Sequence, residues 1–209
     1  MLTIRTSLDG VDPAGAVFVP GLRGLEGPHL DLLATLPICD VNGALLSSLE
    51  APPWPAEGPA PVAGLFLADP FLREAEVAAR LRRAGVRRLA NYPTIQAFDG
   101  EAARALASVG LSFAEELAAL RAFVAEGFGA VGFAAGAAAA RELAALGASA
   151  VVLHPGPGSQ PREREALAAM AGWLGPELAA RGVDLLLFEP RRATARPVRP
   201  APAPPRPAP

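Results

Sequence analysis

Residues 62–94 read VAGLFLADPFLREAEVAARLRRAGVRRLANYPT, and this stretch decides the fold class. Val62 to Leu67 is apolar at nearly every position, as a strand buried on both faces should be, and it ends at Asp69-Pro70. Phe71 to Ala84 then sets Leu72, Val77 and Leu81 near one helical face. Arg80, Arg82 and Arg83 come late in that helix, where positive charge suits the dipole. Gly85 is a natural helix stop, and a second apolar run, Val86 to Ala90, ends at Asn91-Tyr92-Pro93. The unit is strand, helix, glycine, strand.

The same unit repeats outward in both directions. Further short apolar runs are Ala16 to Val19, Ala130 to Phe133, Ala150 to Leu153 and Val183 to Phe188, with Leu2 to Ile4 as a weaker seventh. Ser112-Phe113-Ala114-Glu115 is a capping-box pattern that opens a helix to Glu126. Ala137 to Leu146, ending at Gly147, and Arg162 to Ala180, ending near Gly182, are the next helices. This alternation predicts an α/β protein with parallel strands and right-handed crossovers. No G-x-G-x-x-G follows the first strand, so the dinucleotide-binding open sheet lacks its signature. Six strands and a weak seventh approach the eight of a TIM barrel, so a TIM-barrel-like, incomplete β/α domain is expected over residues 1–190. From Arg191 the chain reads RRATARPVRPAPAPPRPAP, which predicts a disordered or polyproline-II-like tail. Ala51-Pro52-Pro53-Trp54-Pro55 is a shorter proline-rich connection. An incomplete barrel would expose sheet edges for the tail, a loop or another subunit to cover, which makes a homo-oligomer an expectation.

Composition narrows the chemistry. A domain of this size can bury about 70 % of its unfolded surface. The net charge is −2, which gives no electrostatic reason to expect nucleic acid or an anionic membrane. All 19 positions counted as Lys or Arg are arginine, so no lysine Schiff base can form, which excludes class I aldolase and PLP mechanisms. Two histidines, His29 and His154, cannot build a three-histidine zinc site. His29 reads as a surface helix residue. One cysteine, Cys39, cannot make an internal disulfide, which fits a reducing compartment and a cytoplasmic location. The beginning of the chain lacks a secretory pattern, and no apolar run is long enough to span a membrane.

Functional residues in β/α barrels gather at strand C-terminal ends. Polar exits here are Asp69, Asn91 with Thr94, His154 and Glu189, and Asp40 and Asn42 can join them from an early loop. Asp69 before Pro70 also fits a helix N-cap with proline at the first helical position. Asp99-Gly100 reads as a turn and cap, and Cys39 as a small buried apolar residue. His154 is the one histidine at a strand exit and suits proton transfer. Pro155 to Ser159 resembles an anion-cradling loop, although its prolines remove donors.

Taken together, Ala63-Gly64, Ala68-Asp69-Pro70-Phe71, Asn91-Tyr92-Pro93-Thr94 and Asp99-Gly100 resemble the phosphoenolpyruvate hydrolase-like TIM-barrel family, also described as TIM-barrel signal transduction proteins. That family carries A-G-V, T-D-P-F, N-F-P-T and D-G at the same spacing. Leu36-Pro37-Ile38-Cys39-Asp40-Val41-Asn42 is similar to its L-P-Y-G-D-A-N, Glu116 falls on a helix glutamate, and Leu153-His154-Pro155-Gly156 is similar to its A-H-M-G. Departures are Ala68, Ala118, the featureless Ala134-Ala135-Gly136-Ala137, the altered run after His154, Phe188-Glu189-Pro190-Arg191, and no recognisable eighth strand. The resemblance implies a hydrolase or lyase acting on a small carboxylate or phosphoenolpyruvate-like compound. Asp69 and His154 would move protons, and Asp40, Asn42, Asn91, Thr94 and Glu116 would contact substrate. Arg23 could pair with a carboxylate. A divalent cation such as magnesium could sit on Asp40 and Asp69, though nothing in the sequence requires one. The changes around strands seven and eight, where barrels often bind phosphate, fit an alternative. In that alternative the chain is a catalytically degenerate paralogue that binds a metabolite or a partner protein.

Overall fold

A computed structural model describes residues 1–25, 30–36, 38–50, 59–156, 158–189 and 194–198. His29 and the connection at 51–55 lie outside the described residues. Eight strands form a closed barrel: β1 (Leu2–Arg5), β2 (Ala16–Phe18), β3 (Val62–Leu65), β4 (Arg88–Asn91), β5 (Gly129–Ala134), β6 (Ala150–Leu153), β7 (Asp184–Glu189) and β8 (Thr194–Pro197). Neighbours from β1 to β7 pair in parallel. The helices are α1 (Leu30–Ala34), α2 (Val41–Glu50), α3 (Glu74–Arg83), α4 (Gly100–Ala107), α5 (Phe113–Ala125), α6 (Ala137–Leu146) and α7 (Pro161–Ala179). Short 3-10 turns occupy Pro13–Gly15, Pro20–Leu22 and Ile95–Ala97.

Two apolar layers hold this arrangement. Alternate residues along each strand face the barrel interior, where Ile4, Val17, Val62, Ala90, Val131, Val152, Leu186 and Ala195 pack. The intervening residues, such as Phe18, Leu65, Leu89, Val151 and Leu185, pack under the helices with Leu45, Leu81, Leu120, Leu143 and Leu174. Two strand glycines allow close approach. A Cβ on Gly64 would lie 2.5 Å from Val19 Cγ2 inside the barrel, and one on Gly132 would meet Leu143 at 2.8 Å, where α6 lies on β5. At the surface, Glu50 with Arg80, Arg82 with Glu126, and Arg141 with Glu177 join neighbouring helices; such exposed pairs contribute little individually.

The closing strand corrects the expectation of six or seven parallel strands and a tail beginning at Arg191. Residues 194–197 run antiparallel between β7 and β1, with Glu189 opposite Thr194, Leu187 opposite Arg196, and Leu2 opposite Ala195. The proline-rich composition hid a two-residue alternation. Ala195 points inward and is 2 % exposed, while Arg196 points outward and pairs with Glu189 at 3.5 Å. Pro197 lacks an N–H, but it is the last residue of the strand, and Val198 N–H resumes the pairing to the Leu185 carbonyl at 3.1 Å. The barrel therefore has no open edge, which removes the reason for expecting a second subunit to cover one. No described helix is long and apolar enough to cross a membrane.

A further difference lies at Asp69. The helix begins at Glu74 and not at Phe71, because Asp69 stops the chain in a turn: its Oδ1 accepts from Phe71 N–H at 2.9 Å and its carbonyl from Leu72 N–H at 3.0 Å. Ser112 caps α5 as the sequence pattern predicts, accepting from Glu115 N–H at 3.3 Å, whereas Asp99 occupies the cap position of α4 without a side-chain bond.

Replacing Ala195 by Asp puts an unpaired charge inside the barrel, and about 3 kcal/mol or more of stability should be lost. Arg196→Gln, on the outer face of the same strand, should cost within about 1 kcal/mol. Urea unfolding of both variants checks this, and equal costs would mean that β8 does not close the barrel.

Candidate functional site

The polar residues singled out in the sequence all lie toward the C-terminal ends of the strands, in three neighbourhoods. The first is the turn after β3. Here Asn42, in the first turn of α2, reaches across to Phe66: its Oδ1 accepts from Phe66 N–H at 3.0 Å and its Nδ2 donates to the Phe66 carbonyl at 2.9 Å. The second Nδ2 hydrogen goes to Asp69 Oδ2 at 2.9 Å. Asp69 is thus fixed through both oxygens, one by Asn42 and the other by Phe71 N–H. Asp40 caps α2, its Oδ1 accepting from Gly43 N–H at 2.7 Å. Asp40, Asn42 and Asp69 share the wall of a cavity of about 340 Å³ with Cys39, Phe71 and Leu111. Cys39 is half-buried, and its thiol donates to the Gly21 carbonyl at 3.0 Å.

The second neighbourhood repeats the device at the end of β4. Asn91 Oδ1 accepts from Phe133 N–H at 2.7 Å, and its Nδ2 donates to the Phe133 carbonyl at 3.0 Å and to Glu116 Oε2 at 3.1 Å. Glu116 also accepts from the Thr94 hydroxyl at 2.8 Å and from Ile95 N–H. Gln96, which the sequence reading did not single out, completes the cluster: it donates to Thr94 Oγ1 and the Phe133 carbonyl and accepts from Ala135 N–H. Its signal was only a polar residue two positions beyond Thr94. An asparagine side chain has two N–H donors, and both Asn42 and Asn91 spend theirs inside the protein. Their amides hold loops and carboxylates in place and leave no N–H for a substrate.

The third neighbourhood is the mouth of the barrel bore. His154 follows β6 and is 3 % exposed. Its ring stacks on Phe188 with centroids 4.5 Å apart and lies 5.8 Å from Tyr92 and 6.1 Å from Phe133. Nδ1 accepts from Gly156 N–H at 3.1 Å, which in the neutral ring leaves the proton on Nε2. That bond also uses one of the amides that could have cradled an anion. Glu189, at the end of β7, turns to Arg196. Arg23 Nη2 donates to the Thr6 carbonyl at 3.1 Å, just beyond β1. Among the described residues, no three His, Cys, Asp or Glu side chains gather as a metal site would require.

Glu116 is the group whose acidity is displaced. Complete burial pushes its carboxyl up to about 7, against the Ile95, Thr94 and Asn91 hydrogen bonds that pull it down. The folded-state value lies above the ordinary 4.5, so the protonated group's contribution to stability is complete below pH 4.5 and is lost as pH rises through about 7. Relative to Glu116→Gln, which cannot titrate there, the native protein should lose about 3 kcal/mol between pH 4.5 and 8. Urea titrations of both proteins across that range test this; a constant difference would mean that Glu116 ionises in the fold as readily as in water.

Comparison with known proteins agrees with this architecture. The chain matches the phosphoenolpyruvate hydrolase-like family over residues 31–166, more than half of its length. It is also 34 % identical over 133 residues to the uncharacterized protein y4oT of Sinorhizobium fredii, a match that covers 64 % of this chain and 67 % of that protein. The matched span contains α2, β3 to β6 and every residue of the three neighbourhoods except those on β7, β8 and the loops around β1 and β2. The chain therefore belongs to the phosphoenolpyruvate hydrolase-like family.

Proposed function

We propose that the protein is a hydrolase or lyase of this family that acts on a small carboxylate or phosphoenolpyruvate-like compound at the C-terminal rim of its barrel. The observation that carries the reading is the Asp69 carboxylate, pinned by Asn42 and Phe71 N–H on the wall of a cavity of ligand size. A carboxylate held by two donors is oriented before substrate arrives, as a general base acting on water or on an acidic C–H must be. His154, with its tautomer set by Gly156, supplies the second proton-moving group from the barrel mouth. Arg23, just beyond the 3-10 turn Pro20–Leu22, is a cation on the loop after β2 that can pair with a substrate carboxylate.

A second reading is binding without turnover, and two observations favour it. The His154 ring is packed into an aromatic layer, and β7 leads into an antiparallel strand where barrels commonly place a phosphate-binding loop.

Turnover of phosphoenolpyruvate, 2-oxo acids and acylpyruvates, with and without Mg²⁺ or Mn²⁺, separates the two. The catalytic reading expects activity that falls about a hundredfold or more in folded Asp69→Ala or His154→Ala. If the native protein turns over none of these compounds but is thermally stabilised by one, the binding reading holds instead.

A further inference from the structure

Among the described residues that line the cavity beside Asp69, the side-chain donors of Thr35, Cys39 and Asn42 are already engaged. The Thr35 hydroxyl donates to the Leu32 carbonyl at 2.8 Å, the Cys39 thiol to the Gly21 carbonyl at 3.0 Å, and Asn42 spends both amide hydrogens on Phe66 and Asp69. What stays open is acceptor capacity. Among the described residues, Asp40 takes one hydrogen bond, from Gly43 N–H, and Asp69 takes one on each oxygen, so both carboxylates keep free lone pairs. No arginine or histidine is among the described lining residues, and the rest of the wall is apolar: Leu36, Val41, Pro70, Phe71 and Leu111.

This wall selects by charge and by hydrogen-bond sense. A carboxylate or phosphate brings acceptors and negative charge to two anions that offer it no side-chain donor, which is costly when water is displaced. A protonated amine brings three donors and the opposite charge. The cavity, at about 340 Å³, is far larger than an ammonium group needs, and Phe71 stands 87 % exposed beside it. A large aromatic left in water next to a charged cavity can cover an apolar body or stack on a cation.

We infer that this cavity binds a small organic ammonium ion with an apolar, preferably aromatic, body, its N–H groups toward Asp40 and Asp69 and its body against Phe71 and Leu111. The inference rests on the proposed function only in taking the Asp69 cavity as the ligand site. If both hold, the substrate is a small carboxylate that also carries an amino group, phosphoenolpyruvate itself is not turned over, and the carboxylate is met outside these walls.

The test uses the full chain and three probes that share a phenylethyl body, 2-phenylethylamine, 2-phenylethanol and 3-phenylpropionate, followed by calorimetry and thermal shift at pH 7 and low salt. The amine should bind saturably, the alcohol about tenfold more weakly or worse, and the carboxylate not at all. Asp40→Ser keeps a hydroxyl to cap Gly43 while removing one charge, so it should weaken the amine several-fold and leave the alcohol unchanged. Phe71→Ala should weaken amine and alcohol alike. Asp69→Asn adds a second charge removal, and Asp40→Ser carries the test alone should that variant not fold. The inference is overturned if the carboxylate binds as tightly as the amine, if charge removal leaves amine affinity unchanged, or if Mg²⁺ alone binds and the amine does not. Amine binding without turnover of any carboxylate would sink only the catalytic reading. Turnover of carboxylates that lack an amino group, with no amine binding, would sink only this inference.

Discussion

Closure of the sheet by four residues is the constraint on which the rest of the structure depends. Thr194–Pro197 satisfies two strand edges at once, β7 on one side and β1 on the other. A barrel in which one strand is missing has two rows of unpaired backbone groups and an interior open to water on that side, so the inner layer of Val17, Val62, Val131, Val152 and Leu186 would lose its seal. Because closure is a hydrogen-bonding requirement, direction is secondary. An antiparallel strand serves, and it dispenses with the crossover helix that a parallel eighth strand would need. The exposed Arg5 and Arg196 lie on the outer faces of β1 and β8, so this part of the barrel does not need a helix to cover it.

Above that ring, the same side-chain device operates twice. Asn42 grips the backbone of Phe66 and Asn91 that of Phe133, each through an N–H and a carbonyl, as a neighbouring strand would. Each also holds a carboxylate, Asp69 in one case and Glu116 in the other. The asparagines thus carry strand-like pairing beyond the point where the strands diverge. The two carboxylates differ in setting. Asp69 stands on the wall of a cavity, whereas Glu116 is sealed under Thr94 and Ile95. That difference makes Asp69 the chemical candidate and Glu116 a structural keystone with a displaced acidity.

The barrel class and the rim were legible in the sequence because both rest on local patterns. Apolar runs of four to six residues, glycine after most helices and polar residues at strand exits locate β3 to β7 closely, and α6 over Ala137–Leu146. What was not legible depends on partners distant in the chain. Residues 194–197 have no strand character alone; they become a strand because β7 and β1 present unmet donors and acceptors. Asn42 and Asn91 look like ligands for a substrate in one dimension, and only the positions of Phe66 and Phe133 show that their amides are already engaged. Gln96 was missed for the same reason, since its partners Phe133 and Ala135 lie far along the chain.

The aromatic stack of Tyr92, Phe133, His154 and Phe188 has a consequence for traffic. These rings pack against one another at the mouth of the bore, and the cavity of about 340 Å³ opens to its side, over Cys39 to Val41, Asp69 to Phe71 and Leu111. Those segments are turns and helix ends whose contributions to the barrel interior are Val41 and the half-buried Cys39 packed against it. The rim around this cavity can therefore change at a few residues while the barrel beneath stays as it is.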